Sequence, residues 1–204
     1  MRASAGRFAP TLLLVAALAG CVAPAPVPEP ATYLLRSAVQ DRTSTTEPHF
    51  TLGRVRVAWY LEQLGIVLET DAGEIRPARY HRWAEPLDRG IRQLVADLAA
   101  RELGQPVAKD PERAAADALR VDIVVDSFHG TADGAAVLDA EWTIFGPGSP
   151  SPRLLHRRFS SRASLAAAGY PALVAAEVRL LEELAVLLAA DLATAAATGP
   201  SAEE

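Results

Sequence analysis

Two runs of period-two hydropathy constrain this chain more than any other feature. Leu119, Val121, Ile123 and Val125 alternate with Arg120, Asp122, Val124 and Asp126. After Asp133-Gly134, a second run sets Leu138, Ala140, Trp142 and Ile144 against Asp139, Glu141 and Thr143. Successive side chains of a strand point to opposite faces, so each run has an apolar side and a largely polar one, and the Asp-Gly between them is turn chemistry. The pair predicts a long antiparallel hairpin with one face in the core.

Weaker strand signals flank it. Residues 33–37 form a short apolar segment, and residues 40–49 have no periodicity and read as a loop. Strand pattern resumes at Leu52, where Val55, Val57 and Trp59 alternate with Arg54, Arg56 and Ala58. A further run at 65–70 precedes the turn residues Asp71-Ala72-Gly73. Residues 74–80 read as one more strand in which Pro77, lacking an N–H, calls for an edge or a bulge. The Gly- and Pro-rich residues 146–152 form a loop, and 154–161 a weaker strand.

Two segments carry helical periodicity. Residues 86–103 place apolar side chains at 87, 91, 94, 95 and 98, with Pro86 at the first turn and Gly104 just past the end. Residues 171–198 carry the stripe Val174, Val178, Leu181, Ala185, Leu188 and Leu192, whose 4-3-4-3-4 steps suit either a coiled-coil seam or, over so few turns, a helix packed on its own sheet. Strands with one helix in the middle and one at the end argue an α+β fold: a single two-layer domain, a mixed or antiparallel β-sheet with two α-helices packed on one face.

The N-terminus reads differently. Arg2 and Arg7 precede an apolar run at 8–19 that ends in Leu18-Ala19-Gly20-Cys21, the layout of a secretory signal. Twelve residues rise only ~18 Å as a helix, short of a hydrocarbon core about 30 Å thick. Leu18, Ala19 and Gly20 followed by Cys21 match a lipobox, so residues 1–20 are expected to be a lipoprotein signal peptide, with Cys21 carrying diacylglyceryl and acyl chains after cleavage. Residues 21–32, with prolines at 24, 26, 28 and 30, favour polyproline II and read as a stiff tether reaching ~37 Å. Val22 stands where aspartate would signal inner-membrane retention, so the expected location is the periplasmic face of the outer membrane. Residues 33–198 form the expected domain and 199–204 a disordered tail.

Removing residues 1–20, which carry two arginines and no acid, takes the formal charge from −5 to −7. No basic patch points to nucleic acid. Cys21 is the only cysteine, so no disulfide is available and the core alone must hold the domain.

Catalytic constellations are missing from the sequence: there is no Gly-x-Ser-x-Gly elbow, no phosphate-binding glycine loop and no His-Glu-x-x-His. His49, His81, His129 and His156 lie at no metal-ligand spacing, and neither an enzyme nor a metal site is expected. Asp122, Asp126, Asp139 and Glu141 allow a carboxylate cluster, though the solvated face of a hairpin accounts for them more simply. Two segments are richer than a generic domain needs. Trp59, Tyr60 and Leu61, which read as the end of a strand, bring together aromatic and apolar side chains of the kind favoured at interfaces. Trp83, Pro86 and Leu87 read as a helix entry stapled to the sheet.

At these residues the chain resembles the ABC-type transport auxiliary lipoproteins, the family of the paraquat-inducible intermembrane transport lipoproteins. The resemblance rests on the lipobox at Cys21, on Tyr33-Leu34-Leu35, on Tyr60-Leu61-Glu62 with Ile66-Val67, and on Arg82-Trp83-Ala84-Glu85-Pro86-Leu87. Glu62 replaces the usual aspartate, and Leu64-Gly65 stands where an Arg-Pro pair is common. The resemblance implies a non-enzymatic outer-membrane subunit of an intermembrane phospholipid transport system. Its implied partners are a periplasmic lipid carrier of the mammalian-cell-entry (MCE) type and an inner-membrane ABC permease, with Trp59, Tyr60 and Leu61 as the candidate contact and self-association into a homo-oligomer left open. No cofactor is implied beyond the lipid on Cys21. A lipid-binding chaperone is the alternative, and it would need an apolar cavity between sheet and helices.

Overall fold

The computed structural model describes residues 29–36, 47–148 and 150–198. The expected signal peptide, Cys21, most of the expected tether, most of the expected loop at 40–49 and the expected tail at 199–204 lie outside the described residues. The strands are β1 (Ala31–Tyr33), β2 (Phe50–Val57), β3 (Gly65–Glu69), β4 (Ile75–Trp83), β5 (Val107–Ala108), β6 (Leu119–Thr131), β7 (Ala135–Phe145) and β8 (Arg153–Ser164). The helices are α1 (Leu87–Leu103) and α2 (Tyr170–Thr198), and a 3-10 turn at Trp59–Leu61 joins β2 to β3.

The predicted hairpin is the spine of the fold. β6 and β7 pair antiparallel from Arg120 opposite Phe145 to Thr131 opposite Ala135, and β8 continues antiparallel on β7. The other edge of β6 is shared: β2 runs parallel to it from Phe50 opposite Leu119 to Val57 opposite Val125, and β3 runs parallel at Leu68 and Glu69, opposite Gly130 and Thr131. β4 pairs antiparallel with β3, β1 parallel with β4, and β5 parallel with β2. α1 lies on β2 and β5, α2 lies on β6, β7 and β8, and the helices pack on each other, giving the expected α+β two-layer domain with a mixed sheet.

A bulge keeps the hairpin's apolar face continuous. Val121, Ile123 and Val125 point into the core at even spacing, but the register shifts between Val125 and Ser127, leaving Asp126 as an extra residue. Phe128 thereby turns inward opposite Leu138, and both are essentially fully buried. Without the extra residue every side chain beyond Val125 would switch faces.

The helices form as their periodicity predicts. Leu87, Ile91, Leu94, Val95 and Leu98 are all buried, and burial of such a side chain contributes ~1.5 to 3 kcal/mol. Gly104 ends α1 in the left-handed region at φ 66°, where its N–H donates to the Arg101 carbonyl. In α2, Leu181, Ala185, Leu188 and Leu192 are buried, but so are Leu173, Leu180 and Leu184. Its buried face is wider than a seam because it is covered by the sheet and by α1 together. No helix among the described residues is long and apolar enough to cross a membrane.

Two local expectations need correction. The first strand is Ala31–Tyr33 rather than a segment beginning at Tyr33, since its partners are His81, Arg82 and Trp83 at the end of β4. The chain also does not continue as a strand to Trp59: β2 stops at Val57. Pro77 sits where the proline argument places it. It pairs only with Val67 of β3, next to a register shift, on the part of β4 that β1 does not reach.

A candidate docking site at the split strand

The edge of β6 has a gap between its two parallel neighbours, and the chain that would fill it loops out instead. The Ala58 N–H still donates to the Val125 carbonyl at 2.8 Å, after which residues 59–64 leave the sheet and return at Gly65. The turn closes with the Leu61 N–H on the Ala58 carbonyl (2.8 Å) and the Glu62 N–H on the Trp59 carbonyl (3.2 Å). With about three residues per turn, its side chains point in three directions. Leu61 enters the core with 1% of its surface exposed, Tyr60 lies half-buried across the gap, and Trp59 stands out with 84% exposed.

The three candidate contact residues are thus adjacent in the chain but not in one surface. Trp59 is presented, Tyr60 supports it, and Leu61 is core. Leu64, 46% exposed, adds an apolar side chain at the far end of the loop. The loop must return tightly, because a Cβ at Gly65 would lie 2.8 Å from the Ala78 carbonyl oxygen.

Beneath the turn the gap is plugged by polar groups. The Tyr60 hydroxyl donates to the Asp126 carbonyl at 3.2 Å, and its ring meets His129 edge-on at 6.1 Å. Burial, with the nearby Glu69 and Asp139 charges, pushes the phenol's pKa above its usual value against the opposing hydrogen bonds of Ser127 and Phe128. Tyr60 is therefore a neutral donor that ties the turn to β6. The buried His129 places Nδ1 3.2 Å from the Gly130 carbonyl and Nε2 4.0 Å from a Glu69 carboxylate oxygen.

Trp83 and Leu87 are core residues, with 5% and 4% exposed, as the stapled helix entry predicts, and Pro86 is the exposed residue capping α1. Trp83 packs against Phe128 with ring centroids 6.3 Å apart, and its backbone N–H donates to the Leu64 carbonyl at 2.7 Å. The crevice between Tyr33, Leu35, Trp83, Leu87 and Gly90 is a shallow notch without room for a lipid chain.

The four carboxylates of the hairpin do not converge. The Asp122 carboxylate accepts the Arg54 N–H at 3.0 Å and lies 3.4 Å from the Arg120 Nε. It sits over Gly53, where a Cβ would be 2.2 Å from its oxygen, and so pins a bulge in β2. Glu141 lies 3.4 Å from Arg158 and 3.7 Å from His156, while Asp139 stands opposite Ser127. Among the described residues no group of three or more His, Cys, Asp or Glu could hold a metal ion.

Sequence reasoning missed two buried acids on α2. Asp191 accepts the Trp142 indole N–H at 3.0 Å and pairs with Arg157 at 2.8 Å. The signal was present: Asp191 is the only charge in the last fifteen helical residues, and alternation in β8 turns Arg157 inward between Leu155 and Phe159. Glu177 is 1% exposed, its Oε2 has no hydrogen-bond partner, and burial pushes its pKa well above the usual carboxylate range.

Residues 33–189 match the family described as the ABC-type transport auxiliary lipoprotein component. The chain belongs to this family. It is 30% identical over 142 residues to the intermembrane transport lipoprotein PqiC of Escherichia coli, covering 69% of this chain and 73% of the relative. Two crystal structures share the auxiliary-lipoprotein fold. One, of an uncharacterized protein, has a TM-score of 0.68 at 24% identity and covers 81% of this chain and 99% of its own. The other, from Xanthomonas campestris, has a TM-score of 0.64 at 17% identity and covers 82% and 98%. The family is one of transport auxiliary components, so the reading of the surface turns on contacts.

Proposed function

We propose that this chain is a lipid-anchored periplasmic subunit of an intermembrane lipid transport system, held at the outer membrane through Cys21. It docks a carrier of the MCE type together with that carrier's inner-membrane permease. Membership of the transport auxiliary lipoprotein family carries the reading, and the lipobox residues Leu18, Ala19, Gly20 and Cys21 with Val22 support the anchor and its location. Phospholipid is the cargo proposed, on the family resemblance.

Docking centres on Trp59. An indole 84% exposed on a turn pinned to β6 by Tyr60 is already ordered, so a partner covering it gains apolar contact without having to fix a loose loop. Truncation of such an aromatic anchor costs ~2 kcal/mol or more in binding, which exceeds a tenfold loss of affinity, since about 1.4 kcal/mol is a factor of ten.

The test uses the lipidated protein as bait for the carrier and permease. Trp59→Ala weakens capture tenfold or more with an unchanged melting curve, whereas Leu61→Ala lowers the melting temperature. Undiminished capture by a folded Trp59→Ala protein places the contact elsewhere. Failure of the wild-type protein to capture either component refutes the transport assignment.

A further inference from the structure

The sheet ends in three strands of unequal reach. β1 and β5 contribute three and two residues, whereas β8 contributes twelve and, among the described residues, pairs only with β7. A long open edge presents unpaired N–H and C=O groups to any strand that fits beside it. The β8 sequence contains four arginines, one histidine and no acid, in a chain of net charge −5.

The two faces of that edge differ. On the outer face Arg153 projects into solvent, Arg158 is 85% exposed although it lies 3.4 Å from Glu141, and Arg162 pairs with Asp133. On the helical face α2 overhangs the strand. Ser161 Oγ donates to Glu183 at 2.7 Å and Arg157 pairs with Asp191 at 2.8 Å. Residues 183, 187 and 191 are successive turns of one helix stripe, so Leu187 lies between these two contacts on the side of α2 that faces β8. Leu187 and Val186 are 38% and 50% exposed, leaving an apolar overhang along the open edge.

We propose that the β8 edge is a docking strand for an extended acidic segment of another protein, which adds to the sheet as a ninth strand. Backbone hydrogen bonds supply the attraction common to strand addition, and alternate side chains supply the selectivity. One set of side chains is acidic and meets Arg153 and Arg158. The other is apolar and slides beneath Val186 and Leu187. The β8 strand of a second copy is disfavoured as occupant, since β8 against β8 would bring two arginine-rich strands together, and like charges across a strand pair repel. This edge is separate from Trp59, which lies beyond β6 and β7.

The test uses the full-length protein and a fluorescein-labelled nine-residue peptide alternating glutamate with valine. Two further peptides carry N-methyl groups on every second peptide nitrogen, one in each frame, and a fourth replaces glutamate by lysine. In a strand, alternate N–H groups point to opposite edges. The expected result is saturable binding of the parent peptide, at least tenfold weakening by methylation in one frame only, and at least tenfold weaker binding of the lysine peptide. Arg153→Glu with Arg158→Glu reverses the preference between glutamate and lysine peptides, while Trp59→Ala leaves it unchanged. Three results would overturn the proposal: no binding of the parent peptide, equal weakening by both methylated frames, or disulfide cross-linking of a Ser160→Cys variant to a second copy of itself that the wild-type protein does not show.

Discussion

Replacing Glu177 by glutamine should change how stability depends on pH more than it changes the fold. The carboxyl is essentially fully buried in α2, its Oε2 makes no hydrogen bond, and its pKa is raised well above the ordinary 4.5 by desolvation. The folded group keeps its proton to higher pH than the unfolded one, so the native state binds more protons across the window between the two values. Its contribution is then fully present below about pH 4.5 and is lost as pH rises through the folded value. The slope is at most about 1.4 kcal/mol per pH unit, which sets a ceiling of about 3 kcal/mol between pH 4.5 and 7. Glutamine keeps the size of the protonated acid but cannot ionise in the unfolded chain. Urea unfolding of both proteins from pH 4 to 8 should show the smallest difference at pH 4, with the glutamine variant gaining as pH rises until the folded carboxyl ionises and other titrating groups cancelling in the difference. A difference constant across that range would mean that Glu177 ionises alike in both states, and the burial argument would be refuted.

Three further perturbations probe the core and the anchor. Trp83→Ala should cost ~3 to 5 kcal/mol in unfolding free energy, because it empties the space against Phe128; an unchanged melting temperature would move Trp83 out of the core. Asp191→Ala strands the Trp142 indole N–H as well as Arg157, and the lost indole partner alone should cost ~1 to 3 kcal/mol, checked by denaturant titration against Trp142→Phe, in whose background the penalty should shrink. Cys21→Ser should abolish incorporation of a palmitate analogue and leave cooperative melting of the domain intact, and label persisting on the variant would count against lipidation at Cys21.

What was legible in the sequence was local and periodic. The β6–β7 hairpin and both helices follow from side-chain spacing, since Val121, Ile123, Trp142 and Leu181 carry their burial in their position. The parallel pairings of β2 and β3 with β6 were not legible, because register between residues 62 to 69 positions apart leaves no local pattern. The candidate site shows the same limit at finer scale. Strand alternation places Trp59 and Leu61 on one face, but a 3-10 turn rotates each residue by about 120° and separates them. Trp83 could be read because the helix entry and its burial are both local. Asp191 was hidden because its partners Trp142 and Arg157 lie on other elements, although an acid alone in an apolar stretch was a visible clue.

The short β1 has a mechanical consequence. Any pull transmitted along the chain from the N-terminal side enters the described domain at Ala31, through three backbone pairs with His81, Arg82 and Trp83. The Tyr33 hydroxyl adds a 3.0 Å hydrogen bond to His81, whose ring stacks on Tyr170 at 3.9 Å. The β6–β7 ladder and the helices stand behind this attachment. Under tension β1 and the buried Leu35 just after it are the fuse: their release would pay out residues 31–36, up to roughly 20 Å of contour, while the sheet that carries Trp59 keeps its shape. A subunit moored by its N-terminus could thus lengthen its leash before it lost its grip.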